Sequence, residues 1–279
     1  MSNKIVLKAS KFSGLGNKIL LIDLIRQSGN INSVSVKKVV EENQVEFDQL
    51  ISIEAPIFPD LDFSARIFNK DGSQAENCIN GARCFAKYVI DSDLLNKEEL
   101  LVGVGEIRWR ILAHQRGDYS VEQEISDIFI GKDLLPEPNI NNLHELAVVE
   151  DTIEIGYINL GNPHGIFFTS GINDLPLEAW GESLQTSSWF PGGVNFGLAE
   201  INSPSKVNLR VYERGVGETL SCCSGACATV ILGIQLGLLQ EEVEVIFKKG
   251  SLFVKYNEES RKLTARGTAN FLKEINVSL

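Results

Sequence analysis

Short apolar runs of four to eight residues, punctuated by Gly, Asn and Asp, recur along the chain: Leu20 to Leu24, Leu50 to Ile53, Ile107 to Leu112, Ile153 to Leu160, Val207 to Val211 and Val243 to Phe247. Runs of this length bounded by turn residues predict strands. Two longer stretches follow helical spacing, Gly81-Ala-Arg-Cys-Phe-Ala-Lys-Tyr-Val-Ile90 and Ser224-Gly-Ala-Cys-Ala-Thr-Val-Ile-Leu-Gly-Ile234. The second is apolar almost all round, which predicts a helix buried at the centre of its domain. Each begins just after a cysteine, Cys78 in one case and Cys222 in the other. Gly131 to Glu145, with Pro136, Pro138 and a cluster of Asn, reads as a linker between domains.

The chain repeats itself. Leu15-Gly16-Asn17 followed by Ile19 to Ile22 recurs as Leu160-Gly161-Asn162 followed by Ile166 to Phe168. The segment around Gln49 is matched more loosely by that around Asn195, and Cys78-Ile-Asn-Gly-Ala82 is echoed by Cys222-Cys-Ser-Gly-Ala226. The offsets are 145, 146 and 144 residues, in the same order along the chain. Two homologous domains are therefore expected, each with one Asn, one amide-bearing segment and one special Cys.

Composition narrows the chemistry. With 43% hydrophobic and 23% charged residues in a chain of 279, a packed core is expected and global disorder is not. The net charge of −11 argues against a nucleic-acid or anionic-membrane surface, both of which need a basic footprint. No apolar signal core opens the sequence and no uninterrupted membrane-length apolar stretch occurs, so a cytoplasmic protein is expected. Five cysteines, an odd number, fit a reducing compartment. Their spacings, Cys-x5-Cys and Cys-Cys-x3-Cys, are not those of zinc knuckles, and no metal is expected. Cys84 and Cys227 fall inside apolar helical runs and read as small core residues.

Cys78 and Cys222 are different, because each sits in the turn that opens a helix. Free N–H groups and the helix dipole there favour a negative charge, lowering a thiol's pKa from its ordinary value of about 8.5. The same N–H groups suit a carboxylate. Two acid/base groups flanking one carbon invert it if one removes a proton from one face and the other returns a proton to the opposite face. Nearby residues suit a zwitterionic ligand. Arg214 can clamp a carboxylate, Glu213 can take an ammonium, and His164 can support a thiol. Taken singly, each is more often a solvated charge or a structural histidine.

Lys11-Phe-Ser-Gly-Leu-Gly-Asn17, Phe47-Asp-Gln49-Leu, Arg66-Ile-Phe-Asn69-Lys-Asp-Gly-Ser73 through Cys78-Ile-Asn-Gly-Ala-Arg-Cys84, Gly161-Asn-Pro-His164, and Arg210-Val-Tyr-Glu-Arg-Gly-Val-Gly-Glu-Thr219 through Cys222 together resemble the diaminopimelate epimerase family over essentially the whole chain. The resemblance implies an α+β fold of two pseudo-symmetric domains, each an antiparallel β-barrel around a central helix. Their expected bounds are 1–121, completed by the C-terminal strand 266–279, and 122–265. It implies an isomerase without a cofactor, usually a homodimer, interconverting LL- and meso-2,6-diaminopimelate in lysine and peptidoglycan precursor synthesis. Cys78 and Cys222 would be the acid/base pair. Asn80 and the backbone N–H groups of Ile79, Asn80, Cys223 and Ser224 would receive the reacting carboxylate. Asn17, Gln49, Asn69, Asn162, Asn195, Glu213 and Arg214 would hold the rest of the substrate, and His164 and Glu213 would support the thiols.

Three positions depart from the family pattern. Ile79 and Cys223 stand where the family carries Gly after each catalytic Cys, and Lys18 stands where it carries Asp after Asn17. A positive φ at Ile79 would be strained, whereas a helical one would be tolerated and would narrow the pocket. These positions favour a diverged amino-acid racemase on the same scaffold; the intact Asn69, Asn162, Asn195 and Arg214 favour diaminopimelate. An inactive amino-acid-binding homologue would have lost a cysteine, and neither is lost.

Overall fold

A computed structural model describes residues 5–114, 117–125 and 143–279. The chain divides into two compact units, Met1–Gln123 with Arg266–Leu279, and Glu124–Ala265. Most of the expected linker, 131–142, lies outside the described residues. Its end is corrected: His144 and Glu145 open a strand, because His144, Leu146 and Val148 alternate inward with period two.

The first unit contains β1 (Val6–Gly14), β2 (Asn17–Asp23), α1 (Ser33–Asn43), β3 (Gln49–Glu54), β4 (Phe63–Asn69), β5 (Gln74–Ala75), α2 (Ile79–Asp91), β6 (Glu99–Val104), β7 (Ile107–Ala113) and β8 (Asp118–Glu124). The second contains β9 (His144–Val148), β10 (Asp151–Asn159), β11 (Pro163–Phe168), α3 (Leu177–Gln185), β12 (Asn195–Ser203), β13 (Lys206–Glu213), β14 (Gly217–Thr219), α4 (Cys223–Gln235), β15 (Glu242–Phe247) and β16 (Gly250–Asn257). The chain then runs through β17 (Lys262–Thr268) to β18 (Asn270–Ser278), which pairs antiparallel with β1.

The repeat seen in the sequence is a repeat of topology. In the first unit β1 pairs antiparallel with β2, β2 parallel with β3, β3 antiparallel with β4, β4 parallel with β6, and β6 antiparallel with β7. In the second, β10, β11, β12, β13, β15 and β16 repeat the same succession. The sheets are thus mixed, where the resemblance implies antiparallel barrels. The cause is connectivity. A helix lies on the path between each parallel pair, and parallel neighbours require such a crossover.

Helices α2 and α4 occupy corresponding central places. Buried residues run through α2 as Ile79 to Ala86 with Val89, and through α4 as Cys223 with Gly225 to Gly233. Helix α2 packs on β1, β2, β3 and β7, and α4 on β10, β11, β12 and β16, so strands from both ends of each succession cover one helix. The other face of each sheet takes a second helix. Val36 and Val39 of α1 join Leu7, Ala9, Leu20, Ile22 and Phe47, while Leu177, Trp180 and Leu184 of α3 join Phe196, Leu198 and Tyr212. Strand β2 therefore sends Leu20 and Ile22 to the α1 side and, by alternation, Ile19 and Leu21 toward α2. Helix α1 is started by a capping box, in which Asn32 Oδ1 accepts from Ser35 N–H at 3.0 Å and Ser35 Oγ accepts from Asn32 N–H at 2.7 Å.

The α3 layer is closely fitted. A Cβ placed on Gly181 would lie 2.3 Å from Tyr212 Cγ and 2.5 Å from Cδ2, against the body of the ring rather than a flexible end. Gly181→Ala gains about 1 kcal/mol of helix propensity, and overpacking of about 1–3 kcal/mol outweighs it. Urea unfolding is expected to show a net loss of stability; an unchanged or raised midpoint would mean that α3 lifts off β13 without cost.

Candidate active site

Both special cysteines are helix N-caps with extended backbone, Cys78 at φ −153° and Cys222 at φ −133°. The Sγ atom takes the place that a Ser or Asp oxygen usually fills. Gly81 N–H donates to Cys78 Sγ at 3.1 Å, and Gly225 N–H donates to Cys222 Sγ at 3.4 Å. Both residues are buried, Cys78 at 9% and Cys222 at 4% exposure. Glycine three residues on is a condition of this geometry. A Cβ at Gly81 would lie 2.3 Å from Ile51 Cδ1 and 3.1 Å from Cys78 Sγ, and one at Gly225 would lie 3.1 Å from Val211 Cγ2.

In the first unit the expected polar residues cluster at one end of neighbouring strands. Ile19 is opposite Gln49 across β2 and β3, and Gln49 is opposite Asn69 across β3 and β4. Gln49 Nε2 donates to Asn69 Oδ1 at 3.2 Å, and Asn69 Nδ2 donates to Ser73 Oγ at 3.0 Å. Gln49 Oε1 and Asn17 Oδ1 are buried without a hydrogen-bond partner among the described residues. Buried amide oxygens left open are costly unless a ligand meets them. Asn17 follows a two-residue turn, Leu15 (φ 55°) and Gly16 (φ 94°), that closes the β1–β2 hairpin. A leucine at positive φ is strained. Asn80 is 3% exposed and lies against the end of β1, where a Cβ on Gly14 would be 3.2 Å from Asn80 Cβ.

In the second unit a chain of contacts runs from the sulfur inward. Cys222 Sγ is 3.4 Å from Ser224 Oγ, Asn162 Nδ2 donates to Ser224 Oγ at 3.2 Å, and His164 Nε2 is 3.2 Å from Asn162 Oδ1. An amide oxygen only accepts, so His164 donates from Nε2 and its Nδ1 carries the lone pair. Nδ1 is buried without a partner among the described residues. Burial, reinforced by the Arg214 charge, pushes the His164 pKa down to about 3, so the ring is neutral. Asn195 sits opposite His164 in the β11–β12 register. Its Nδ2 donates to Pro163 O at 3.1 Å and its Oδ1 accepts from Arg214 N–H at 3.0 Å, so it shapes the backbone at this end of the sheet. Arg214 is exposed and donates from Nη1 to Gly192 O at 3.0 Å. Glu213 accepts from Thr219 Oγ1 at 2.5 Å. Burial raises the Cys222 thiol well above its ordinary range, the Glu213 carboxylate raises it further, and the Ser224 and Gly225 contacts oppose them.

The two substitutions after the cysteines cause no backbone strain. Ile79 and Cys223 are the first residues of α2 and α4 and neither has positive φ. Lys18 turns to the rim, where its Nζ is 2.5 Å from Glu46 Oε1 and its N–H donates to Asp48 Oδ2 at 2.7 Å. Cys84 is fully buried and its pKa is pushed up to about 12, leaving it an inert thiol. Sequence reasoning did not single out Gly81, Gly225 or Arg83, whose guanidinium is wholly buried beside Asn80. A signal for the glycines was present as the shared Cys-x-x-Gly spacing.

Comparison with known proteins gives the family. The diaminopimelate epimerase family profile matches residues 9–118 and 156–272. A diaminopimelate epimerase of Pseudomonas aeruginosa is 34% identical over 279 residues, covering 98% of this chain and 100% of the relative. One of Teredinibacter turnerae is 35% identical over 274 residues, covering 98% and 99%. Among solved structures, a hydroxyproline epimerase from Agrobacterium vitis superposes with TM-score 0.73 at 11% identity, covering 100% of this chain and 94% of that one. A phenazine biosynthesis protein of the PhzF family from Enterococcus faecalis gives 0.68 at 12% identity, covering 99% and 100%. At such identities these two show a shared fold alone. The family match spans both units and both cysteine helices, and the chain belongs to the diaminopimelate epimerase family.

Proposed function

We propose that this protein is an amino-acid epimerase that interconverts LL- and meso-2,6-diaminopimelate without a cofactor, using Cys78 and Cys222 as its two acid/base groups. The observation that carries the reading is the duplicated N-cap thiol: in each unit one sulfur, and no oxygen, caps the buried helix and accepts a glycine N–H. In the reaction one cysteine is a thiolate and takes the proton from the substrate Cα. The electron pair left on carbon spreads into the α-carboxylate, and the second cysteine delivers its S–H proton to the opposite face. The first sulfur ends as thiol and the second as thiolate, so charge and protons balance, and the reverse direction exchanges the roles.

Burial and the Glu213 charge hold Cys222 protonated, which suits it to the donor role in the resting enzyme. Asn80 and the N–H groups of Ile79, Asn80, Cys223 and Ser224 receive the reacting carboxylate, where the helix N-termini favour an anion. Asn17 and Gln49 each bring an open amide oxygen, suited to an ammonium group. Asn69, Asn162, Asn195, Glu213 and Arg214 hold the distal amino-acid end. His164, neutral, supports the Cys222 thiol through Asn162 and Ser224. No described helix is long and apolar enough to cross a membrane. A cytoplasmic homodimer serving lysine and peptidoglycan precursor synthesis completes the reading.

Proton NMR in D2O with LL- and meso-diaminopimelate tests it. The wild type is expected to place deuterium at Cα while interconverting the two. Cys78→Ala and Cys222→Ala are each expected to lose interconversion by at least about a thousandfold, as for removal of one member of a catalytic unit. Unexchanged substrate with the wild type would sink the diaminopimelate assignment and move attention to other amino acids.

His164 gives a second expectation, on stability. Its folded pKa of about 3 lies below the ordinary imidazole value, so its contribution is present above about pH 6.5 and is lost as pH falls toward 3. Between these values the unfolded chain binds the extra proton. Urea midpoints measured across this range are expected to rise with pH in the wild type, with up to about 1.4 kcal/mol per pH unit from this group. The His164→Gln variant should show a slope smaller by up to that amount. Equal slopes in the two proteins would show that His164 is not the group that titrates.

A further inference from the structure

Arg83 is the fifth residue of α2 and is 0% exposed. Among the described residues both of its hydrogen bonds go to neutral acceptors, Nη2 to Asn80 Oδ1 at 2.5 Å and Nε to the Thr268 carbonyl at 3.4 Å. Nη1 is buried with no hydrogen-bond partner among the described residues. No carboxylate among the described residues pairs with it, and a wholly buried guanidinium left so is expensive and seldom kept for packing alone. Its contact with Asn80 also settles a point of chemistry. A guanidinium has donors and no acceptor, so the Asn80 atom facing it is the oxygen, and the NH2 end of the amide is the end left for an incoming acceptor.

The second unit gives the control. Offset by 144 residues, Ser224 stands at the place of Asn80 and Cys227 at that of Arg83. There the side chain two residues after the cysteine is held from outside the helix, by Asn162 Nδ2 on Ser224 Oγ at 3.2 Å. Each unit thus pins the polar side chain beside its thiol with one donor. Only the first unit does so with a cation from within the helix.

We infer that Arg83 is a positioning residue for the epimerisation: it locks the Asn80 amide with its NH2 end offered to the substrate's reacting carboxylate, at the helix terminus that carries Cys78. The inference rests on the epimerase reading above. The carboxylate gains negative charge as the α-proton leaves, so a donor held in advance helps the transition state more than the bound substrate. Loss of Arg83 leaves Asn80 free to flip and turn its oxygen toward the carboxylate.

The test compares wild type, Arg83→Met, Arg83→Lys, Asn80→Ala and the double variant Arg83→Met with Asn80→Ala. Steady-state α-hydrogen exchange of LL-diaminopimelate in D2O is read beside the ¹⁵N–¹H signals of the Asn80 side-chain amide, assigned by their disappearance in Asn80→Ala. Arg83→Met is expected to lower kcat/KM by about 10- to 100-fold, mostly through kcat, and to shift the Asn80 amide pair. Arg83→Lys, which keeps a charged donor, should recover part of both. The double variant should be no worse than Asn80→Ala alone. Unmoved Asn80 signals in Arg83→Met, unchanged kcat, or losses that multiply in the double variant would overturn the inference and leave Arg83 a tie between α2 and Thr268. Should Arg83→Met not fold in thermal melts, Arg83→Gln carries the same comparison, with a smaller fall expected and no fall overturning it. If the wild type exchanges no α-hydrogen, the epimerase reading fails, and the Asn80 signals still decide whether Arg83 orients that amide.

Discussion

A sulfur atom at the N-cap of a helix whose first turns are buried is the constraint from which most of the architecture follows. The first turn of such a helix leaves N–H groups that water cannot reach, and something in the protein or its ligand must meet them. Here Cys78 and Cys222 each meet one, through Gly81 and Gly225. At Gly81 there is no room for a side chain because β3 presses Ile51 against the turn, and at Gly225 Val211 of β13 makes the same place tight. In the proposed reading, the first-turn N–H groups of each helix are what would suit it to a carboxylate. Burial and dipole pull the thiols in opposite directions, and at Cys222 burial prevails, with Glu213 on its side. A thiol held protonated in this way is present as the proton donor and has to be ionised before it can take a proton.

Much of this was legible in the chain before any coordinates. The apolar runs at Leu50 to Ile53 and Val243 to Phe247 fall within β3 and β15, and the two helices after the cysteines are α2 and α4. They were legible because their buried positions are filled by apolar residues at strand or helix spacing. Helices α1 and α3 were not. Ser33 to Asn43 buries only Ser35, Val36 and Val39, and the α3 pattern is broken by Gly181, whose presence is explained only by the Tyr212 ring across the layer. The mixed pairing was also hidden, since a strand's direction depends on the crossover that precedes it and leaves no mark in its own residues.

The site was read with similar unevenness. Residues at strand ends next to the cysteine helices could be picked out because the repeat aligns them, as Asn17 with Asn162 and Gln49 with Asn195. What each does could not be read from that alignment. Asn195 spends both ends of its amide on backbone, whereas Gln49 and Asn17 keep a buried oxygen open. Arg83 escaped notice because a charged residue in a helical pattern ordinarily means a solvated face. Its meaning lies in being wholly buried next to Asn80, which no spacing rule reports.

The substitutions that separate this chain from its family's pattern resolve into different kinds of event. At Ile79 and Cys223 the backbone is already helical, so a side chain adds bulk at the first residue of α2 or α4 and no torsional cost. Both side chains are themselves almost fully buried, at 8% and 6% exposure, so the bulk is absorbed by the protein interior. Lys18 reverses a charge, and the reversal is answered locally: Glu46 pairs with its ammonium and Asp48 takes its N–H. Because Glu46 is largely exposed, that pair contributes little to stability. Its effect is to tie the ammonium to Glu46, while the oxygen of Asn17 stays open. A cation beside that oxygen would compete for it with a substrate ammonium, whereas one tied to Glu46 leaves it to the ligand. The replacement is thus compatible with an unchanged ligand because Glu46 stands beside it.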